Sequence, residues 1–366
     1  MTAREKPAHG GQRRWVAETY GRDERSWLDF SANLNPLGPP KAVRAALAAG
    51  LGQIVFYPDL EAKAATLAVA GYLKVAPDHI LLTSGGMEAI YLAVRALQPA
   101  AALIAEPAFM GYREACAAAQ VPAEGFTGRL EELLRRELEP RQMVLVGQPG
   151  NPTGQLEDPQ VLMALLERLA AQGGNLLLDE AFIDFLPEPE AYSLRHAAGR
   201  PGLLVTGSLT KFFTLPGLRV GYALGPPPLL DALRRLKTPW SVSTLAQIAA
   251  AAAVQDAEFI AASRRLLPIA RLELATALRK LGLFEVQEGQ ANYLLLDAAP
   301  SGLTAAQWAE GAARRGIMLR DASGFPGLTR YHLRVAVRRA DENERLVAVL
   351  REIGEDRSLR QEDREV

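Results

Sequence analysis

The 366-residue sequence predicts an α/β protein: a large domain built on a mostly parallel sheet flanked by helices, then a smaller α+β domain. Three observations carry this. Short apolar runs near residues 80, 103, 144, 176, 203 and 220 alternate with stretches of helical periodicity, the pattern of a sheet covered on both faces. Pro226-Pro227-Pro228 then breaks the chain and a helix-rich segment follows. From Ala291 onward the pattern reads strand, helix, strand, strand, helix.

Composition narrows the function classes. The chain is 49% hydrophobic and 23% charged with formal net charge -1, which gives no broad field for nucleic acid or an acidic membrane. A single cysteine, Cys116, excludes an internal disulfide framework and fits a reducing compartment; it reads as a small core residue. The four histidines, His9, His79, His196 and His332, show no metal-ligand spacing. The charged N-terminal stretch has no apolar signal-peptide core, and no apolar run approaches a membrane span. A cytoplasmic protein is expected.

Taken in order, residues 1–30 read as polar and irregular, with His9-Gly10-Gly11 and Trp27-Leu28-Asp29-Phe30. Residues 31–40 contain two Asn, three Pro and a Gly, hence an extended loop. By itself this is a rigid linker; the alternative is an arm offering Asn33 and His9 as hydrogen-bonding groups. Helices are expected over 41–49 and 61–74, with Tyr57-Pro58 in a turn between them. Ile80-Leu81-Leu82 is a strand, Thr83-Ser84-Gly85-Gly86 a small-residue turn, and 87–97 a helix with Ile90, Ala93, Val94 and Leu97 on one face. Such a turn is common in α/β folds, and it also presents N–H groups where the helix dipole favours an anion.

Ala102-Leu103-Ile104-Ala105 is the next strand, with Phe109 beyond its carboxyl end, where open α/β sheets place ligands. Phe109 is either core or a ring that stacks on a flat ligand. Met143-Val144-Leu145-Val146 feeds Gly147-Gln148-Pro149-Gly150-Asn151-Pro152-Thr153-Gly154, a shaped loop holding Asn151. Asp158 caps a helix over 159–172, with Pro159 at its first position. Asp179 then ends the strand Asn175-Leu176-Leu177-Leu178. A carboxylate buried there needs a cationic or N–H partner, unless it merely caps the next element.

Leu203-Leu204-Val205-Thr206 leads into Ser208-Leu209-Thr210-Lys211-Phe212-Phe213, and Arg219 follows in Gly217-Leu218-Arg219-Val220-Gly221-Tyr222. A lysine in apolar surroundings is available as a nucleophile toward a carbonyl, and Ser208, Thr210 and Arg219 are donors suited to a phosphate. The plain alternative is a surface lysine at a loop edge. Helices are expected over 245–254 and 258–281. Later elements are a strand at 291–296, a helix at 304–315, strands at 316–320 and 331–337, and a closing helix at 341–353. Alternation places Arg334 with His332 and Ala336 on one face of its strand; exposure is the ordinary state of such an arginine, or of Arg320.

In this order the motifs resemble the fold-type-I pyridoxal 5'-phosphate (PLP) enzymes of the aminotransferase class, across nearly the whole chain. Within that class the chain is similar to the threonine-phosphate decarboxylases of cobalamin biosynthesis. The resemblance rests on His9-Gly10-Gly11, on Asp29-Phe30-Ser31-Ala32-Asn33-Leu34-Asn35-Pro36-Leu37-Gly38, on Asp179-Glu180-Ala181-Phe182-Ile183-Asp184-Phe185, on Pro239-Trp240-Ser241-Val242, and on Ala291-Asn292-Tyr293.

The resemblance implies roles. Lys211 bonds covalently to PLP, Asp179 pairs with its ring nitrogen, Asn151 bonds its ring hydroxyl and Phe109 stacks on the ring. Gly85, Gly86, Ser208, Thr210 and Arg219 hold its phosphate, and Tyr57 reaches the cofactor of a neighbouring subunit. His9, Gly10, Asn33, Asn151, Arg320 and Arg334 bind a small phosphorylated amino acid. Phe182 replaces a tyrosine that many aminotransferases direct at the ring hydroxyl, Gly150 replaces a frequent Asn, and Gln12 stands where the decarboxylases usually show Asn. The implied division is an arm at 1–40 associated with the small domain and active site, a large domain at 41–255, a small domain at 256–354 and a disordered tail at 355–366. A homodimer that decarboxylates L-threonine O-3-phosphate, without nucleic-acid or membrane partners, is the expectation. Histidinol-phosphate aminotransferase activity is the rival, and a non-catalytic PLP-binding regulatory module a more distant one.

Overall fold

The computed structural model describes residues 10–356. His9 and residues 357–366 of the expected tail lie outside the described residues. The chain divides into two compact units: residues 37–151 with 155–265, and residues up to 36 with 152–154 and those from 266 onward. The strands, in chain order, are β1 (Leu28–Asp29) in the smaller unit; β2 (Ile80–Thr83), β3 (Ala102–Ala105), β4 (Ala123–Phe126), β5 (Met143–Gly147), β6 (Asn175–Asp179), β7 (Leu203–Ser208) and β8 (Gly221–Leu224) in the larger; and β9 (Glu285–Val286), β10 (Tyr293–Asp297), β11 (Ile317–Met318), β12 (Arg320–Asp321) and β13 (His332–Ala336) in the smaller again.

In the larger unit seven strands form one sheet in the order β2-β8-β7-β6-β5-β3-β4. The pairs from β7 to β4 are parallel, and β8 runs antiparallel to both its neighbours. The central strands are apolar throughout because both faces are covered. Leu145, Leu177 and Leu204 join a core with the helices Gly85–Leu97, Gly111–Ala118 and Pro227–Leu236, while Val144, Leu176 and Leu178 on the opposite face are equally buried. The helix Pro159–Ala171 starts as its sequence predicts, with Pro at its first turn and the Asp158 side chain accepting from the Gln160 N–H at 2.8 Å.

The antiparallel β8 matters for the site. Its first residue, Gly221, pairs with Thr83 at the end of β2 and with Ser208 at the end of β7. The register therefore sets the Arg219 loop at the same sheet edge as the carboxyl ends of those two strands. The parallel register does the same for Gly147, Asp179 and Thr206, which lie side by side.

In the smaller unit β1 pairs with β11, and the sheet β12-β13-β10-β9 is antiparallel. The expected strand at 316–320 is thus two strands. Its halves, on either side of Leu319, pair with different partners. The N-terminal stretch also departs from expectation. Arg13–Tyr20 is a helix rather than irregular chain, held by Val16 packing with Trp27, Ala313 and Met318. The strand β4 was not anticipated: it is an edge strand, and none of its residues is fully buried.

Candidate active site

Asp179 ends β6 and is 9% exposed. Its Oδ2 accepts from the Tyr112 hydroxyl at 2.9 Å, and its Oδ1 from the Ala181 N–H at 3.1 Å and the Thr206 hydroxyl at 3.4 Å. Burial raises its carboxyl above the usual aspartate range; those three bonds and the charge of Lys211 pull the other way without cancelling it. An aspartate in this state gains from a protonated ring nitrogen placed against it.

This has a measurable consequence. A carboxyl raised in the folded state binds its proton more tightly there than in the unfolded chain. Its contribution to stability is fully present below the unfolded value, about 4, and is lost as pH rises through the folded one. Cofactor-free protein should therefore lose melting temperature more steeply from pH 4 upward than cofactor-free Asp179→Asn. Parallel profiles would contradict the assignment.

Tyr112 was not singled out from the sequence, where it reads as one more core aromatic of a helix. It lies three residues after Phe109, and the two rings meet edge to face with centroids 5.7 Å apart. A Cβ added to Gly111 would come within 2.5 Å of the Phe109 ring and 2.7 Å of the Met87 sulfur, so the absence of a side chain there sets where Phe109 lies. A Cβ on Gly147 would lie 3.4 Å from the Tyr112 hydroxyl and 3.5 Å from the Asn151 N, which brings Asn151 to the same place. Phe182 is buried and stacks on Phe185 with centroids 6.3 Å apart.

Beside this group lies a seat for an anion. The helix Gly85–Leu97 starts without a side-chain cap, leaving its first N–H groups available to a ligand. Gly85 has φ +80°, and a Cβ there would sit 2.8 Å from Arg219 Nη2. A Cβ on Gly221 would sit 2.6 Å from the Gly86 N. Ser208 and Thr210 join hydroxyls at 2.7 Å, and Lys211 follows in the short helix Leu209–Phe212 between buried Leu209 and Phe212. Helix N-terminus, two hydroxyls, a guanidinium, a lysine and a buried acid thus occupy one unit, and they fit a phosphorylated, ring-nitrogen cofactor.

Residues 25–350 match the aminotransferase class I and II family. The chain belongs to that family. Its cofactor is pyridoxal 5'-phosphate. This aminotransferase-class chain is 35% identical over 357 residues to a threonine-phosphate decarboxylase of Salmonella typhimurium, covering 94% of the chain and 96% of that protein. It is 30% identical to a histidinol-phosphate aminotransferase of Methanothermobacter thermautotrophicus, covering 92% of each. Its fold is that of a histidinol-phosphate aminotransferase from Sinorhizobium meliloti solved with pyridoxal 5'-phosphate, with TM-score 0.80 at 21% identity over 96% of both chains.

In the smaller unit of this class member, the other predicted residues form their own group. Arg334 on β13 is directly opposite Arg320 on β12. Arg334 is 7% exposed, its Nη2 donates to the Ser31 carbonyl at 2.9 Å, and its guanidinium stands 5.3 Å from the centre of the Tyr293 ring. Burial pushes it down to about 10, with the Arg320 charge acting in the same direction and Tyr293 and Asp29 opposing. Burial lowers Arg320 too, and its guanidinium stands 5.5 Å from the Phe325 ring centre. Arg334 is thus not the exposed strand arginine that alternation alone suggests.

Asn33 is 2% exposed, and neither its Oδ1 nor its Nδ2 has a partner among the described residues. Gly10 is packed so tightly on Ser31 that a Cβ would come within 2.3 Å of the Ser31 carbonyl oxygen. Tyr57 is 82% exposed, and its ring lies tilted at 34° to that of Trp240 with centroids 4.8 Å apart.

Proposed function

We propose that the protein is a PLP-dependent carboxy-lyase converting L-threonine O-3-phosphate into (R)-1-amino-2-propanol O-2-phosphate and CO2, the step of cobalamin biosynthesis that the sequence resemblance implies. The observation that carries the reading is the opposed pair Arg320 and Arg334. Like charges directly across a strand pair cost stability, more so when one is buried. A ligand with two anionic groups repays that cost. The 35% relative from Salmonella, itself a threonine-phosphate decarboxylase, supports decarboxylation over transamination.

When bound, PLP supplies an electron sink for whichever bond at the substrate Cα stands perpendicular to its ring. The chain's own residues decide which bond that is. Arg320 and Arg334, with Asn33, Gly10 and His9, hold the phosphate and carboxylate; guanidinium forks suit both and stay charged. Held by its phosphate, the substrate would offer its carboxylate rather than its Cα hydrogen for departure. Gly85, Gly86, Ser208, Thr210 and Arg219 hold the cofactor phosphate, Asn151 takes the ring hydroxyl and Phe109 covers the ring. Asp179, oriented by Tyr112, keeps the proton on the ring nitrogen. Lys211 would hold the cofactor covalently, and its amine, or a water, would return one proton to Cα as CO2 leaves.

Purified holoenzyme given phosphothreonine should release CO2 without an oxo-acid acceptor. Given histidinol phosphate and 2-oxoglutarate it should form no glutamate; glutamate there, with no CO2 from phosphothreonine, would make it the aminotransferase.

We also infer a homodimer. Leu51, Ile54, Val55, Phe56, Tyr57 and Leu60 are 56–82% exposed in one short segment, an apolar strip of the kind that a partner surface covers. Phe56→Glu would place a charge in that contact. Sedimentation should show wild type at twice the chain mass and the variant dissociating at concentrations about a hundredfold higher. An unchanged dimer would place the contact elsewhere.

A further inference from the structure

Two of the groups read as substrate-binding meet on one backbone atom. Arg334 Nη2 donates to the Ser31 carbonyl oxygen at 2.9 Å, and Gly10 packs against that same oxygen so closely that a Cβ would come within 2.3 Å of it. Where this carbonyl points therefore bears on both. The chain leading to it is strapped down. The Phe30 N–H donates to the Met318 carbonyl at 2.9 Å, and the Phe30 carbonyl accepts from the Ala336 N–H at 2.9 Å. Residue 30 thus runs between β11 and β13, the strand that carries Arg334.

Asp29 fixes what those two bonds leave free. It is 5% exposed, and its Oδ1 accepts from the Ser31 N–H at 2.9 Å, the Ser31 hydroxyl at 2.7 Å and the Ala32 N–H at 3.2 Å. The Ala32 N–H belongs to the same peptide as the Ser31 carbonyl, and that peptide is trans. In a trans peptide the N–H and C=O point in opposite directions, so holding the N–H toward Asp29 turns the carbonyl toward Arg334. The hydroxyl bond has a direction as well. A carboxylate only accepts and a backbone N–H only donates. The Ser31 hydroxyl therefore gives its hydrogen to Asp29 and offers its oxygen to the Gly11 N–H, 2.8 Å away. Ion pairing does not account for the buried carboxylate: Arg13 Nε stands 3.8 Å from Oδ2 on a side chain that is 39% exposed, a contact of little worth.

We propose that Asp29 is a positioning residue for the substrate. Through Ser31 it aims the Arg334 guanidinium and holds Gly10-Gly11 beside it, so that the arm and the arginine grip the substrate as one piece. This rests on the reading that Arg334 holds a substrate anion. It does not depend on whether the reaction is decarboxylation or transamination.

The test is a double-mutant cycle on the holoenzyme, read with phosphothreonine or histidinol phosphate, whichever it turns over. Asp29→Ala should lower kcat/KM by about tenfold or more, chiefly through KM, with the cofactor absorption unchanged. Asp29→Asn keeps an acceptor oxygen in place and should stay within about threefold of wild type. In an Arg334→Gln background the further loss from Asp29→Ala should shrink to about twofold or less, because the group it positions is gone. Should Asp29→Ala not fold, Ser31→Ala, which removes only the hydroxyl link to Gly11, decides by the same comparison. Losses that multiply in the double variant would overturn the proposal and make Asp29 a brace for the loop alone. Asp29→Asn as impaired as Asp29→Ala would overturn it too, since the charge rather than the aimed peptide would then matter. Arg334→Gln with undiminished kcat/KM is a different failure: it would remove the substrate reading of Arg334, and this proposal with it.

Discussion

Lys211→Ala is expected to lose the visible absorption of the lysine-bound cofactor and to lower decarboxylation by at least about a thousandfold. On the proposed reading two separate functions go with one side chain: the covalent hold on PLP and the return of a proton to Cα. The fold itself should be little disturbed. Lys211 sits at the end of a one-turn helix whose packing is supplied by Leu209, Phe212 and Phe213, each 0% exposed. Near-native melting with the absorption gone would agree. Persistence of the band in the variant would assign the covalent bond to another lysine.

Arg334→Gln is expected to lower kcat/KM for phosphothreonine by roughly 2–5 kcal/mol, about 30-fold to several thousandfold, the scale of removing one member of a buried charge pair. Stability should move far less. The buried guanidinium faces Arg320 across the strand pair, so its removal relieves a repulsion and a desolvation cost, which offsets the loss of contacts that include the bond to Ser31 and the Tyr293 ring. Arg334→Lys should recover little, because an ammonium cannot fork onto a carboxylate or phosphate. A loss of activity matched by an equal loss of stability would mean that Arg334 holds the fold rather than the substrate.

Much of the larger unit was legible because its strands are buried on both faces. Met143–Gly147 and Leu203–Ser208 announce themselves as continuous apolar runs ended by glycine or small residues. The strand Ala123–Phe126 did not, since an edge strand with Glu124 and Gly125 has neither an apolar run nor clean alternation. The helix Arg13–Tyr20 was equally opaque: it buries a single residue, Val16, and has no capping side chain.

For the site, position along the chain was enough to collect Gly85, Asp179, Ser208, Thr210, Lys211 and Arg219, because strand ends gather at one edge of an α/β sheet. What no local pattern contains is the partner of Asp179. Tyr112 precedes it by 67 residues, and only the helix turn after Phe109 hints that the two rings act at one place. Arg334 is a similar case. Its burial depends on Ser31 and Tyr293, neither adjacent in sequence, whereas strand alternation by itself argues for an exposed cation.

In the proposed reaction, the bond of the substrate Cα that Arg320 and Arg334 align decides the outcome. Turnover of phosphothreonine in heavy water measures this directly. If the carboxylate is the group turned out of plane, the aminopropanol phosphate carries a single deuterium at C1, and substrate recovered part-way through retains protium at Cα. Recovered phosphothreonine with deuterium at Cα would mean that the hydrogen, not the carboxylate, is the aligned group, and would contradict the account.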